Sequence, residues 1–222
     1  PELTRRRHTL ADAAAGARRF VVGLGKKVLI ANVLYELMSA FLQSTQPSML
    51  FTWLYAVACA LQIYFDFSGY SDMAVGLGQI FGFHFPENFR YPFLSGSVTE
   101  FWRRWHISLG SWFRDYVYIP LGGSRCSRSR WLLNVFLVWG LTGLWHGAAW
   151  NFVLWGLFFA VLLAAEKLWY GHGLEKTRLL KHLYMLPLLA VSFVLFTAAD
   201  LPAAGQQIAA LLGFGGLPAA GV

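Results

Sequence analysis

Between Trp131 and Ala165 the chain runs for 35 residues without a formal charge, and a histidine stands inside that run, in Trp145-His146-Gly147. About 20 apolar residues suffice to cross a bilayer as a helix, so a run of this length commits the chain to a membrane. An ionisable side chain within such a segment is costly and marks a functional site by default. If Arg130 marks the headgroups, His146 lies about 24 Å further along a straight helix, inside a hydrocarbon core of roughly 30 Å. The stretch divides into Trp131–Trp145 and Ala148–Trp169, joined through Gly140, Gly143 and Gly147. Gly143 and Gly147 flank the histidine and are expected to leave room for a substrate chain.

Composition agrees. Apolar residues make up 57% and charged residues 13%, where a globular domain carries roughly 25% charge. The fold class expected is an all-α integral membrane protein with several spans. The chain begins at Pro1 without a basic-then-apolar signal segment. It reads as the C-terminal part of a longer protein whose N-terminal portion is missing. The net charge of +7 does not indicate nucleic acid, because the basic residues form no continuous stripe. They gather between apolar runs: Arg5-Arg6-Arg7, Arg103-Arg104, Arg125 with Arg128 and Arg130, and Lys176 with Arg178 and Lys181. That is the positive-inside pattern, and it places the Arg103–Arg130 segment in the cytoplasm. Cys59, in an apolar run, and Cys126, in an Arg-rich loop, are poor candidates to pair.

After a basic surface segment over 1–19, an apolar helix is expected from Phe20 to Leu42, with Lys26-Lys27 snorkelling to headgroups. A polar loop, 43–47, leads into the apolar stretch 48–83, read as two spans or one span and a broken helix, with Gly69, Gly76, Gly78 and Gly82 as breaks. Its centre, YFDFSGYSD over 64–72, holds Asp66 and Asp72, which must face the bundle interior or a wet cavity. Either they form a proton or cation site, or they are structural, paired with buried arginine or capping amides. The structural role weighs more. His84–Pro92 carries two prolines and must be irregular.

Ser97 and Glu100 have capping-box spacing and open an amphipathic, Trp- and Arg-rich helix ended by Pro120 and Gly122-Gly123. Such a helix lies in the interface. His106 sits at the edge of its apolar face, one turn from Trp102 and Phe113. Residues 170–182 read as a solvated basic loop with His172 and His182. An apolar helix follows over 183–199, then an Ala- and Gly-rich tail with a short helix near 206–212.

No phosphate-binding glycine loop, nucleophile elbow or metal-binding motif is present. No two of His84, His106 and His146 share the i, i+4 spacing of a helical metal site, so no metal is expected. A deep histidine can accept a proton from a hydroxyl and return it. Burial keeps the imidazole neutral, as a general base requires. These residues support a membrane enzyme or a proton-coupled transporter or channel, with Asp66, Asp72 and His146 as its relay.

YFDFSGYSDMAVGLGQIFGFHFPENFRYPF, TEFWRRWHISLGSWFRDYVYIPLGG and LTGLWHGAAWNFVLWG together resemble the membrane-bound O-acyltransferase family, and within it the bacterial alginate O-acetyltransferase branch. The teichoic acid D-alanyl transferases are more distant. The three blocks run through most of residues 60–160, and PELTRRR at the start resembles the end of an earlier family block. SFVLFTAAD, near the end, departs from the family pattern.

The resemblance implies a multi-helix membrane domain over 1–222, with interfacial or re-entrant amphipathic helices around a central funnel. It assigns the family's invariant histidine to His146 and its second active-site histidine to His106; residues that bind the donor remain unassigned. It implies acyl transfer from a cytoplasmic thioester, acetyl-CoA or an acyl carrier, towards an extracytoplasmic polysaccharide such as alginate, cellulose or peptidoglycan. A separate extracytoplasmic acetyltransferase of the SGNH type is the implied partner, membrane lipid the surroundings, and the bacterial inner membrane the location. A non-catalytic scaffold for such a secreted acetyltransferase is the further alternative.

Overall fold

The computed structural model describes residues 6, 9–44, 48–177 and 179–214. The PELTRRR segment, apart from Arg6, lies outside the described residues, as do most of the 43–47 loop, Arg178 and the tail beyond 214. Everything regular among the described residues is helical.

The first helix is α1, Leu10–Gly25, opened by Thr9, whose side chain accepts from the Asp12 N–H at 3.0 Å. It passes through a π-helical turn, Lys26–Ala31, into α2, Asn32–Gln43. Antiparallel to it runs α3, Met49–Ile80, capped by Ser48. At 32 residues α3 is unbroken and about 48 Å long.

The glycines expected to break α3 instead let it approach α1. A Cβ on Gly69 would stand 2.7 Å from the Gly23 carbonyl oxygen, and one on Gly76 2.6 Å from that of Gly16. Gly78 meets the Phe85 ring, and only Gly82, at φ 76°, takes a left-handed conformation just past the helix end. Between helices in lipid there is little hydrophobic drive, and close backbone approach at small residues supplies the packing.

After an irregular segment through His84–Tyr91, a 3₁₀ turn at Pro92–Leu94 leads to α4, Val98–Arg104, and α5, Ile107–Phe113. The expected single amphipathic helix is therefore broken at Trp105–His106. A π-helical turn, Arg114–Tyr118, ends it. Next come α6, Arg128–His146, and α7, Trp150–Ala165. A π-helical turn, Glu166–Tyr170, and α8, Gly171–Glu175, extend α7 into the first part of the loop expected over 170–182. The chain closes with α9, Leu180–Thr197, and α10, Leu201–Leu211, the latter capped by Asp200 and starting before the short helix expected at 206.

Among the described residues three helices are long and apolar enough to cross a membrane: Met49–Ile80, Trp150–Leu174 and Leu180–Thr197. Large apolar side chains such as Val21, Leu29, Val33 and Leu50 stand exposed on outer faces, as lipid contact requires.

Among the described residues the buried apolar side chains form three groups. Tyr55, Cys59, Val194 and Leu211 join α3, α9 and α10. Phe101, Trp105, Trp155, Phe159, Met185 and Phe193 join α4, α7 and α9. Trp131, Val135, Ala160 and Ala164 seal α6 against α7. Cys59 and Cys126 are free thiols.

Candidate active site

The uncharged run folds as a helical hairpin, and His146 is the last residue of its first arm. Two glycines set the closeness of the arms. A Cβ on Gly143 would lie 2.4 Å from the Phe152 carbonyl oxygen, and one on Gly156 2.2 Å from that of Trp139. A Cβ on Gly147 would meet the Phe152 ring at 2.7 Å. The space that Gly143 and Gly147 were expected to leave for a substrate is thus filled by α7 itself.

Three aromatic rings meet the His146 ring near-perpendicularly: Trp145 at 5.0 Å, Trp155 at 5.2 Å and Phe196 at 5.1 Å between centroids. Trp155 is buried. Among the described residues no hydrogen bond reaches the His146 ring nitrogens.

His106 occupies the break between α4 and α5, with left-handed backbone at φ 46°. For a residue other than glycine that conformation costs of order 1–2 kcal/mol, and it persists only where the surroundings enforce it. Asn88 supplies the enforcement from the irregular segment. Its main-chain carbonyl accepts from the Ile107 N–H at 3.0 Å. Its side-chain oxygen accepts from the Ser108 N–H at 3.1 Å and the Ser108 hydroxyl at 2.9 Å, and lies 3.3 Å from His106 Nδ1. Its Nδ2 donates to Ser71 Oγ on α3 at 3.2 Å. Arg90 N–H donates to the Arg104 carbonyl at 2.9 Å, and Arg104 Nη1 returns a bond to the Arg90 carbonyl at 3.3 Å.

The two histidines, far apart in sequence, share a neighbour. Trp145 lies 5.9 Å from the His106 ring and 5.0 Å from that of His146. Phe67 of α3 closes the other side of His106 at 4.6 Å. Burial, and secondarily the nearby His146, push the His106 imidazole down to about 4, so at neutral pH it is uncharged.

The α3 carboxylates are paired with cations of α1 and of the π-helical turn that follows it. Asp72 accepts from Arg19 at 2.9 Å and Lys26 at 2.6 Å, and Asp66 pairs with Lys27 at 2.6 Å. Lys26 and Lys27, expected to snorkel to headgroups, are thus ion-paired across the interface with α3, the Lys27–Asp66 pair at its exposed edge. Arg19 continues to Glu87, with Nη1 2.6 Å from Oε1, so the residue before Asn88 is fastened to α1.

Two holding groups are absent from the sequence reading. Asn88 was one residue of an irregular segment. Glu166 was only the charge ending the apolar run, yet it is buried and accepts from Val98 N–H at 2.7 Å and Thr99 N–H at 3.1 Å. Ser97 caps α4 as its spacing suggested, Oγ accepting from Glu100 N–H at 3.0 Å, but the Glu100 carboxylate accepts from Gly96 N–H, one residue short of the reciprocal bond of a capping box.

Comparison with known proteins gives a consistent set. The model of the membrane-bound O-acyltransferase family matches residues 4–199. A probable alginate O-acetylase AlgI of Azotobacter vinelandii is 45% identical over 215 residues, 96% of this chain and 43% of the relative. A peptidoglycan O-acetyltransferase of Helicobacter pylori is 36% identical over 212 residues, 93% of this chain and 40% of the relative. A teichoic acid D-alanyltransferase of Bacillus subtilis is 34% identical over 160 residues, 67% of this chain and 40% of the relative. The chain spans less than half the length of these curated relatives.

Proposed function

Since this chain belongs to the membrane-bound O-acyltransferase family, we propose that it carries the catalytic histidines of an O-acetyltransferase acting on an extracytoplasmic polysaccharide. The acetyl group comes from a cytoplasmic thioester, acetyl-CoA or an acyl carrier. His146 is the general base. It takes the proton of an acceptor hydroxyl as the oxygen attacks the thioester carbonyl, the C–S bond breaks, and the proton goes to the departing thiolate. His106 positions one of the two reactants. A secreted acetyltransferase of the SGNH type receives the group or completes delivery, and the bacterial inner membrane is the setting.

The observation that carries the reading is convergence. Two histidines from the 98–113 segment and the α6–α7 hairpin meet at one indole, His146 with no hydrogen bond to its ring among the described residues. The carboxylates that a proton relay would need are already ion-paired with Arg19, Lys26 and Lys27, which favours an enzyme over a carrier. Relatives named as acetyltransferases of alginate and peptidoglycan support a polysaccharide acceptor.

The test is acetyl transfer from a labelled thioester in membranes holding the full-length protein and its secreted partner. His146→Gln should accumulate normally, bind the partner and lose at least about a hundredfold in transfer. His106→Gln should lose less, because an amide can mimic a positioning group. Wild-type transfer by abundant His146→Gln protein would leave only the scaffold.

A further inference from the structure

The orientation of the Asn88 amide is fixed by its surroundings. Side-chain oxygen and nitrogen look alike in shape, so their assignment rests on the hydrogen-bond network. Here the Ser108 main-chain N–H, which can only donate, points at the atom in question at 3.1 Å, and that atom must be the oxygen. The same oxygen lies 3.3 Å from His106 Nδ1. An imidazole nitrogen facing a carbonyl oxygen is stable only if it carries the proton. Ser108 Oγ, 3.4 Å from Nδ1, already directs its hydrogen to Asn88 at 2.9 Å and so offers Nδ1 a lone pair as well. The Asn88 oxygen therefore requires Nδ1–H, and the Ser108 hydroxyl is compatible with it.

We infer that Asn88 is a positioning residue for His106, holding it in the Nδ1–H tautomer with Nε2 left as an acceptor for a reactant's proton. The inference rests on the acyl-transfer reading for its functional meaning, but not for its structural content. Asn88 combines three tasks: it sets the tautomer, holds the left-handed turn through Ile107 N–H, and ties both to α3 through Ser71. Arg19, bridging Glu87 to Asp72, keeps the segment from lifting away. With its Nε2 lone pair available, His106 orients a hydroxyl or thiol by accepting from it, and it cannot act there as a donor to a carbonyl oxygen.

The experiment is nitrogen-15 NMR of histidine-labelled full-length protein in lipid nanodiscs, with the His106 signals identified by their loss in His106→Gln. Wild type should show Nδ1 protonated and Nε2 bare. Asn88→Leu, which removes the acceptor, should move the proton to Nε2 in part or whole. Asn88→Asp, which keeps an acceptor oxygen, should restore Nδ1–H. Ser108→Ala should leave the tautomer unchanged. A bare Nδ1 in wild type, or Nδ1–H persisting in Asn88→Leu, overturns the inference; so does its loss in Ser108→Ala, which would make the hydroxyl the holder. Should Asn88→Leu not accumulate, the wild-type spectrum with the other two variants still decides. In the transfer assay Asn88→Leu should lose roughly ten- to a hundredfold, by analogy with the partners that orient metal-bound histidines, with Asn88→Asp recovering part. A tautomer that responds as stated while transfer ignores both Asn88→Leu and His146→Gln would retain the positioning role and reject the acyl-transfer reading.

Discussion

Replacing Gly143 by alanine tests whether the hairpin's closeness sets the chemistry at its tip. The added Cβ would fall 2.4 Å from the Phe152 carbonyl oxygen and 2.9 Å from Val153 Cα, where ordinary contact begins near 3.4 Å. Both obstacles are backbone, so no side chain can swing aside, and the arms must part by about 1 Å. Overpacking of this kind costs typically 1–3 kcal/mol. It is opposed by about 1 kcal/mol from alanine's better helix propensity. The net loss of stability is therefore small, about 0–2 kcal/mol. The effect on transfer is expected to be larger, because His146 lies one turn away and Trp155 and Phe196 fix its ring from outside α6. A displacement near 1 Å can cost about a hundredfold in rate. Gly140→Ala is the control: its Cβ would meet only Leu157 Cδ2, at 3.9 Å. Thermal unfolding in detergent and thioester-dependent transfer, both normalised to protein amount, are the measurements. Gly143→Ala transferring as fast as Gly140→Ala would refute the link between the glycine seam and catalysis.

Glu166→Ala should remove the acceptor of two amides at the start of α4 and lower the unfolding midpoint, by the equivalent of about 1–2 kcal/mol for a lost cap; Glu166→Gln should recover part. Asp66→Ala should reduce membrane abundance by leaving Lys27 without its 2.6 Å partner, whereas Lys27→Ala with Asp66→Ala should accumulate better, since no unpaired charge remains. Acidification should destabilise the wild type between pH about 6.5 and about 4, because the unfolded chain takes up a proton that folded His106 refuses; His106→Gln should weaken that dependence without abolishing it, seen as unfolding midpoint against pH. Cysteines placed at Ser124 and Ser127 should be shielded from an impermeant thiol reagent in intact cells, and labelling from outside would invert the proposed topology.

Length and apolar character made the membrane helices legible in sequence, and the deep histidine stood out because nothing else in its run ionises. The hairpin was legible as two halves. What glycine does was not: Gly69, Gly76, Gly143 and Gly147 look alike as breaks, as room for a ligand, or as contact points, and only the opposing helix decides. The break at His106 was hidden for a different reason. Residues 98–113 keep helical periodicity across it, and the hydrogen bonds that reverse the local preference come from Asn88, 18 residues earlier. The pairing of Lys26 and Lys27 depends likewise on where Asp66 and Asp72 lie across a helix interface.

The left-handed backbone at His106 sets local strain against the proposed activity at one position. Glycine adopts that conformation with no steric penalty, so His106→Gly relieves local strain while discarding the imidazole. A population screened for heat resistance alone should therefore hold histidine at 106 less firmly than one screened for polymer acetylation, the relief being offset by the lost packing on Phe67 and Trp145. Enrichment at this codon under the two regimes would separate the energy stored in the turn from the chemistry it was kept for.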